Sequence, residues 1–126
     1  MACASGLKTF ELLERELCAN SARVGAHLKK KLEPMIDKYP IVGDVRGLGL
    51  MIGMEIVKDK KNGKGAPDPA ARHKILTECF NRGLLLLGCG PNSLRFAPPL
   101  IITKAQADCA VGIVEEAIKS VGGAKR

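Results

Sequence analysis

The stretch SLRFAPPLIITKAQAD, residues 93–108, sets Arg95 between Leu94 and Phe96, just ahead of Pro98 and Pro99. A permanent cation inside an apolar run is costly to desolvate unless an anion meets it. Two arrangements would satisfy it: a structural salt bridge at a strand end, or a carboxylate-bearing ligand. Arginine suits the ligand, because its planar fork pairs with both oxygens of a carboxylate. Pro98 and Pro99 restrain φ just beyond it and would give a recognition residue a rigid mounting. A second charged pair, Arg46 and Glu55, reads as a structural ion pair between strands.

No complete catalytic constellation accompanies these residues. GxSxG, GxxxxGK[ST] and HExxH are all absent. RGLGLMIG holds Gly47, Gly49 and Gly53 at the wrong steps for GxGxxG and leads into a strand, so no helix N-terminus awaits a phosphate. Gly47 and Gly49 read instead as a tight bend with close backbone packing. The lysines stand in polar context, without the desolvation or neighbouring cation that activates a Schiff-base lysine. His27 and His73 read as exposed helix residues. The five cysteines, Cys3, Cys18, Cys79, Cys89 and Cys109, form no CxxC pair and lie at no ligand spacing from histidine, so no metal site is expected. They read as reduced packing residues of a cytoplasmic protein.

The elements that must position Arg95 follow from periodicity. Residues 5–37 carry a helical stripe of Phe10, Leu13, Leu17, Val24, Leu28, Leu32 and Met35, with a weak point at Asn20-Ser21, loosening at Pro34 and a stop at KYP. Residues 41–57 read as extended, with Leu50, Ile52, Met54 and Ile56 on one side. KDKKNGKGAPD is a polar surface loop. Asp68 and Pro69 open a second helix, with Ile75, Leu76, Cys79 and Phe80 as its buried stripe and Gly83 as its C′ residue. LLLL, residues 84–87, reads as a buried strand; GCGPN turns the chain; residues 93–97 return as the strand holding Arg95. Thr103 and Gln106 form a capping box for a last helix, ended by Gly122-Gly123. The sum predicts an α+β fold, a small sandwich whose mostly antiparallel sheet is covered by helices on one face.

Composition fits a single domain: 126 residues, 46% apolar and 26% charged. No apolar run is long enough to span a bilayer, and no secretory signal opens the chain. The net charge of +7 is spread over KKK at 29–31, KDKKNGK at 58–64 and the AKR tail. Its aromatics, Phe10, Tyr39, Phe80 and Phe96, are too dispersed for base stacking, so solvated faces rather than nucleic acid account for the charge.

VGDVRGLGLMIGMEIV, followed by RGLLLLGCGPNSLRFAPPLIITKAQAD, resembles the C-terminal part of the class III (subgroup II, ω-type) PLP-dependent aminotransferases. Within that family it looks most like the 4-aminobutyrate aminotransferases. ACASGLKTFELLE and NSARVGAHLKKKLE are similar to the helix that leads into that part, so the likeness runs over nearly the whole chain. It implies the small domain of a fold type I enzyme over residues 1–126, with 1–37 the linking helix region and 38–126 the sheet and helices. It also implies a homodimer whose active site lies between subunits. In the family, the arginine of the LRFxPPL-like motif binds the α-carboxylate of an amino acid, typically glutamate. That position is Arg95, and burial against such a carboxylate, or against a glutamate of the large domain, is then its expected state.

The family's Schiff-base lysine, pyridine-nitrogen aspartate and phosphate groups belong to a large domain, and none maps onto this chain. The resemblance therefore implies pyridoxal 5'-phosphate in the full enzyme, none held here, and no transamination by these residues alone. The parent reaction moves an amino group from an ω-amino acid to a 2-oxo acid. A class III amino-acid racemase and a stand-alone interaction module are the alternatives; the abrupt start at MACASGL points to a truncated piece. A domain parted from its neighbours should expose an apolar patch near the N-terminal helix.

Overall fold

The computed structural model describes residues 1–58, 60 and 65–122. The middle of the polar loop and the Gly123 helix stop lie outside the described residues. The chain opens with α1 (Ala2–Leu12), passes through a π-helical turn (Leu13–Leu17) and continues as α2 (Cys18–Leu32). Pro34 separates α2 from the single turn α3 (Met35–Lys38), and Tyr39 is extended. β1 (Val42–Leu48) and β2 (Met51–Ile56) then form a hairpin. α4 (Pro69–Asn81), β3 (Leu87–Cys89), β4 (Ser93–Phe96) and α5 (Lys104–Gly122) complete the order.

The sheet is antiparallel throughout, in the order β1-β2-β4-β3. Alternation along each strand gives it two unlike faces. Val45, Ile52, Met54, Ile56, Leu94 and Phe96 point into the core, where α2 and α4 pack against the sheet and α5 packs against both of those helices. Among the described residues no helix covers the opposite face. This is the α+β sandwich with helices on one face that the periodicity predicts.

Local chemistry sets the helix ends. Asp68 accepts the Ala71 N–H at 2.9 Å, and Gly83, at φ 83°, closes α4 where a side chain would be strained. Gln106 accepts the Thr103 N–H at 3.0 Å while Thr103 Oγ1 accepts the Gln106 N–H at 3.3 Å. Tyr39, fully buried, donates its hydroxyl to Glu115 at 2.9 Å and ties the start of the sheet to α5. Lys38 bonds the same carboxylate. Its hydrogen bond, then that of Tyr39, holds the Glu115 carboxyl below the usual range. A depressed acid stabilises the fold above its unfolded value, about pH 4.3, and that contribution disappears as pH falls through the folded value. We therefore expect Glu115→Gln to cost about 1–2 kcal/mol at neutral pH. Its melting temperature should meet that of the parent protein as the pH drops below about 4.

Several elements depart from expectation. Asn20 and Ser21 are no weak point; the irregular turn lies earlier, and both side chains make long-range bonds. Leu84–Leu87 is not a buried strand. Pairing begins only at Leu87, and Leu85 and Leu87 are 76% and 60% exposed. β3 is an edge strand whose outer face no described helix covers, so half of an apolar run there must meet solvent. Phe80 is also 68% exposed, because α5 covers only the Ile75–Cys79 side of α4. Of the five cysteines, only Cys79 packs in the core, where burial pushes its thiol up to about 11. α1 buries no residue at all, and Leu7 and Phe10 stand exposed, as the apolar patch expected there requires. No described helix is long and apolar enough to cross a membrane.

Candidate functional site

Arg95 occupies β4, an inner strand, with Gly53 of β2 directly opposite on one side and Leu87 of β3 on the other. Leu94 and Phe96 turn inward, so the pleat sends Arg95 to the open face. Within this chain the guanidinium is exposed, and its own fold does not desolvate it. Among the described residues no carboxylate lies within ion-pair reach of it. Its Nη2 donates to Cys89 Sγ at 3.2 Å, and that bond is the main cause holding its pKa above even the ordinary guanidinium value.

Arg95 also touches a cleft of about 420 Å³ at the β3 edge, lined by Leu84–Leu87 and Phe96–Pro99. Leu28 of α2 and Ala107 and Ala110 of α5 complete a mostly apolar lining, in which Arg95 is the one charged side chain among the described residues. Pro98 and Pro99 carry the chain away from β4. Beyond them Asn20 of α2 donates Nδ2 to the carbonyls of Leu100, at 2.6 Å, and Ile102, at 3.1 Å. The segment after Arg95 is thus held at both ends, by the sheet and by α2.

The same face carries a separate charged group. Arg46 Nη1 lies 2.8 Å from Asp44 and 3.5 Å from Glu55. Glu55 also accepts from Asn92 Nδ2 at 3.2 Å, and that amide reaches the Ile56 carbonyl at 2.8 Å. Arg46 is consequently spoken for, its pKa raised chiefly by the Asp44 hydrogen bond, whereas Arg95 is free to meet an external anion.

The glycines of this region divide. Gly49, at φ 55°, makes the β1–β2 turn, and Ser21 Oγ accepts the Leu50 N–H at 3.2 Å to fasten that turn to α2. A Cβ on Gly47 would overlap the Met51 carbonyl and come within 2.7 Å of Ile52 Cα, so this crossing of strands requires glycine. Gly53 is different: a Cβ there would meet nothing closer than 3.9 Å. His27 proves to be bonded, its Nε2 lying 2.7 Å from Asp108 Oδ1 and joining α2 to α5, while His73 is exposed.

Asn20, Cys89 and Asn92 escaped the reading of the sequence. For Cys89 the deciding feature is the hairpin register, which the turn residues do not fix by themselves. A hairpin centred on Gly90–Asn92 pairs residue 89 with 93 and 87 with 95, which puts Cys89 and Arg95 on one face. Among the described residues no group of three or more His, Cys, Asp or Glu could hold a metal ion.

The family model described as aminotransferase class-III matches residues 1–118. The chain is 42% identical over 119 residues to an alanine/serine racemase of Pyrococcus horikoshii, covering 92% of this chain and 24% of that protein. It is 38% identical over 124 residues to the 5-aminovalerate aminotransferase of Pseudomonas putida, covering 96% and 28%. Among solved structures it matches a PLP-bound amine transaminase from an uncultivated Pseudomonas species at a TM-score of 0.87 and 37% identity, covering 96% of this chain and 28% of that one. The chain thus spans about a quarter of the length of these relatives.

Proposed function

Because the chain belongs to the class-III aminotransferase family, we propose that it is the carboxylate-recognising small domain of a PLP-dependent enzyme of that family. Residues 1–37 are the linking helix region and 38–126 the sheet and helices. Arg95 is the substrate-binding residue, and Arg46, Gly47, Gly49, Glu55, Pro98 and Pro99 shape the face around it. The observation that carries this reading is an exposed guanidinium on an inner strand, facing away from the core with no carboxylate partner among the described residues. A fold gains nothing from such a cation, but a ligand carboxylate does.

The described residues do not fit pyridoxal phosphate itself. No described lysine is buried, and Lys38 is held in its charged form by Glu115. The cofactor is therefore assigned to a large domain, outside the quarter of the relatives spanned here, and these residues alone are inactive in transamination. The whole enzyme takes amino-acid and 2-oxo-acid substrates, in the cytoplasm and as a homodimer, with neither nucleic acid nor membrane as partner. An ω-amino acid such as 4-aminobutyrate is the donor this reading favours, supported by the likeness to a 5-aminovalerate aminotransferase. The 42% identity to an alanine/serine racemase supports a second reading, an amino-acid racemase with the same carboxylate site.

The test is a residue-resolved NMR titration of the chain with glutamate and 4-aminobutyrate. Saturable shifts centred on Arg95 are expected, weakened at least about tenfold in Arg95→Lys because an ammonium cannot make the paired bonds. A well-folded chain with no shift at Arg95 refutes carboxylate capture by this domain.

A further inference from the structure

Four of the residues around Arg95 on the open face bear most directly on its position. Gly53, opposite on β2, has no side chain, and Leu87, opposite on β3, has no polar atom. Ser93, two residues back on β4, lies beside Cys89 across the hairpin. Of the four, Cys89 makes the contact, its sulfur accepting Nη2–H at 3.2 Å. On the Gly53 side, where a Cβ would meet only the Arg46 carbonyl oxygen, at 3.9 Å, no side chain of β2 stands directly between the guanidinium and Arg46 on β1. Left to itself, a long exposed arginine samples many rotamers, and each ligand it binds must overcome that freedom.

We propose that Cys89 is the positioning residue for Arg95, holding its guanidinium over β3 and away from Gly53 so that a carboxylate meets a fork already set. The proposal rests on the reading of Arg95 as the carboxylate clamp. It gives the half-exposed Cys89 a role that neither packing nor metal binding supplies.

The experiment compares the parent chain with Cys89→Ala and Cys89→Ser, reading three quantities on each. They are the heteronuclear NOE of the Arg95 Nε–Hε group without ligand, the melting temperature, and the dissociation constant for glutamate. In Cys89→Ala the Arg95 side-chain signal is expected to become mobile, glutamate binding to weaken about fivefold, and the melting temperature to hold. Cys89→Ser, whose oxygen can accept the same bond, is expected to restore order and affinity in large part. An Arg95 side chain equally ordered in Cys89→Ala and in the parent overturns the proposal, whatever glutamate does. So does a loss that serine fails to recover at all. If the parent shows no glutamate binding while Cys89→Ala still loosens Arg95, the positioning stands and the carboxylate reading is the one that fails.

Discussion

Gly25→Ala is expected to lower the melting temperature of this chain by about 10 °C, a loss near 3 kcal/mol. Two effects compete at the site. Alanine is the better helix former and would favour α2 by about 1 kcal/mol. Against that, a Cβ on Gly25 would overlap the Gly49 carbonyl and lie 2.7 Å from Gly49 Cα. That neighbour is backbone, not the tip of a flexible side chain. It belongs to a turn at φ 55° that Ser21 already fastens through the Leu50 N–H. The turn cannot retreat without breaking that bond and lifting Leu50, which is 4% exposed, from the core. The steric effect therefore wins. Gly112→Ala is the control: a Cβ there meets nothing within 4 Å. It should raise stability by about 1 kcal/mol. Thermal or urea denaturation of both variants checks the pair, and a stabilising Gly25→Ala would refute the tight crossing of α2 over the turn.

Leu94→Ala should be equally damaging, at about 3–4 kcal/mol. Leu94 is fully buried on β4, paired with Met54 of β2 and Gly88 of β3. Sheet hydrogen bonds on both sides keep β4 from collapsing into the space left behind, so the cavity persists and its cost is added to the lost burial. Leu85→Ser, by contrast, should change stability by no more than about 0.5 kcal/mol, since Leu85 is 76% exposed. Equal losses from the two substitutions would mean that the edge leucines are packed after all.

That pair also shows what could be read before any fold was known. Asp68, Gly83, Thr103 and Gln106 act on backbone within a few residues of themselves, so their roles were legible. Leu84–Leu87 was not, because four identical residues carry no period, and only the position of β3 at the sheet edge decides which of them is covered. Asn20 and Ser21 looked like a flaw in a helix since their partners, the carbonyls of Leu100 and Ile102 and the N–H of Leu50, lie far along the chain. Arg95 was singled out by its type, yet its exposure could have been foreseen. Leu94 and Phe96 flank it, and a strand that buries both must turn the residue between them outward. The family resemblance located the residue; the parity of the strand gives its direction. Its restraint by Cys89 depended on a hairpin register that the composition of the turn leaves open.

The π-helical turn at Leu13–Leu17 carries a consequence for direction. Successive residues of an α-helix advance by about 100°, and a π turn admits one residue more than an α turn would. Followed upstream through unbroken α-helix, the line of Val24 and Leu28 would run through Leu17, Leu13 and Phe10, on the side of the core. The extra residue slips that phase, turning Leu7 and Phe10 by about a quarter of a circle from the azimuth of α2. A single rod thus offers two greasy sectors, one spent on its own sheet and the other aimed elsewhere. The N-terminal segment is a corner post: whatever meets α1 must approach from a different quarter than the sheet does.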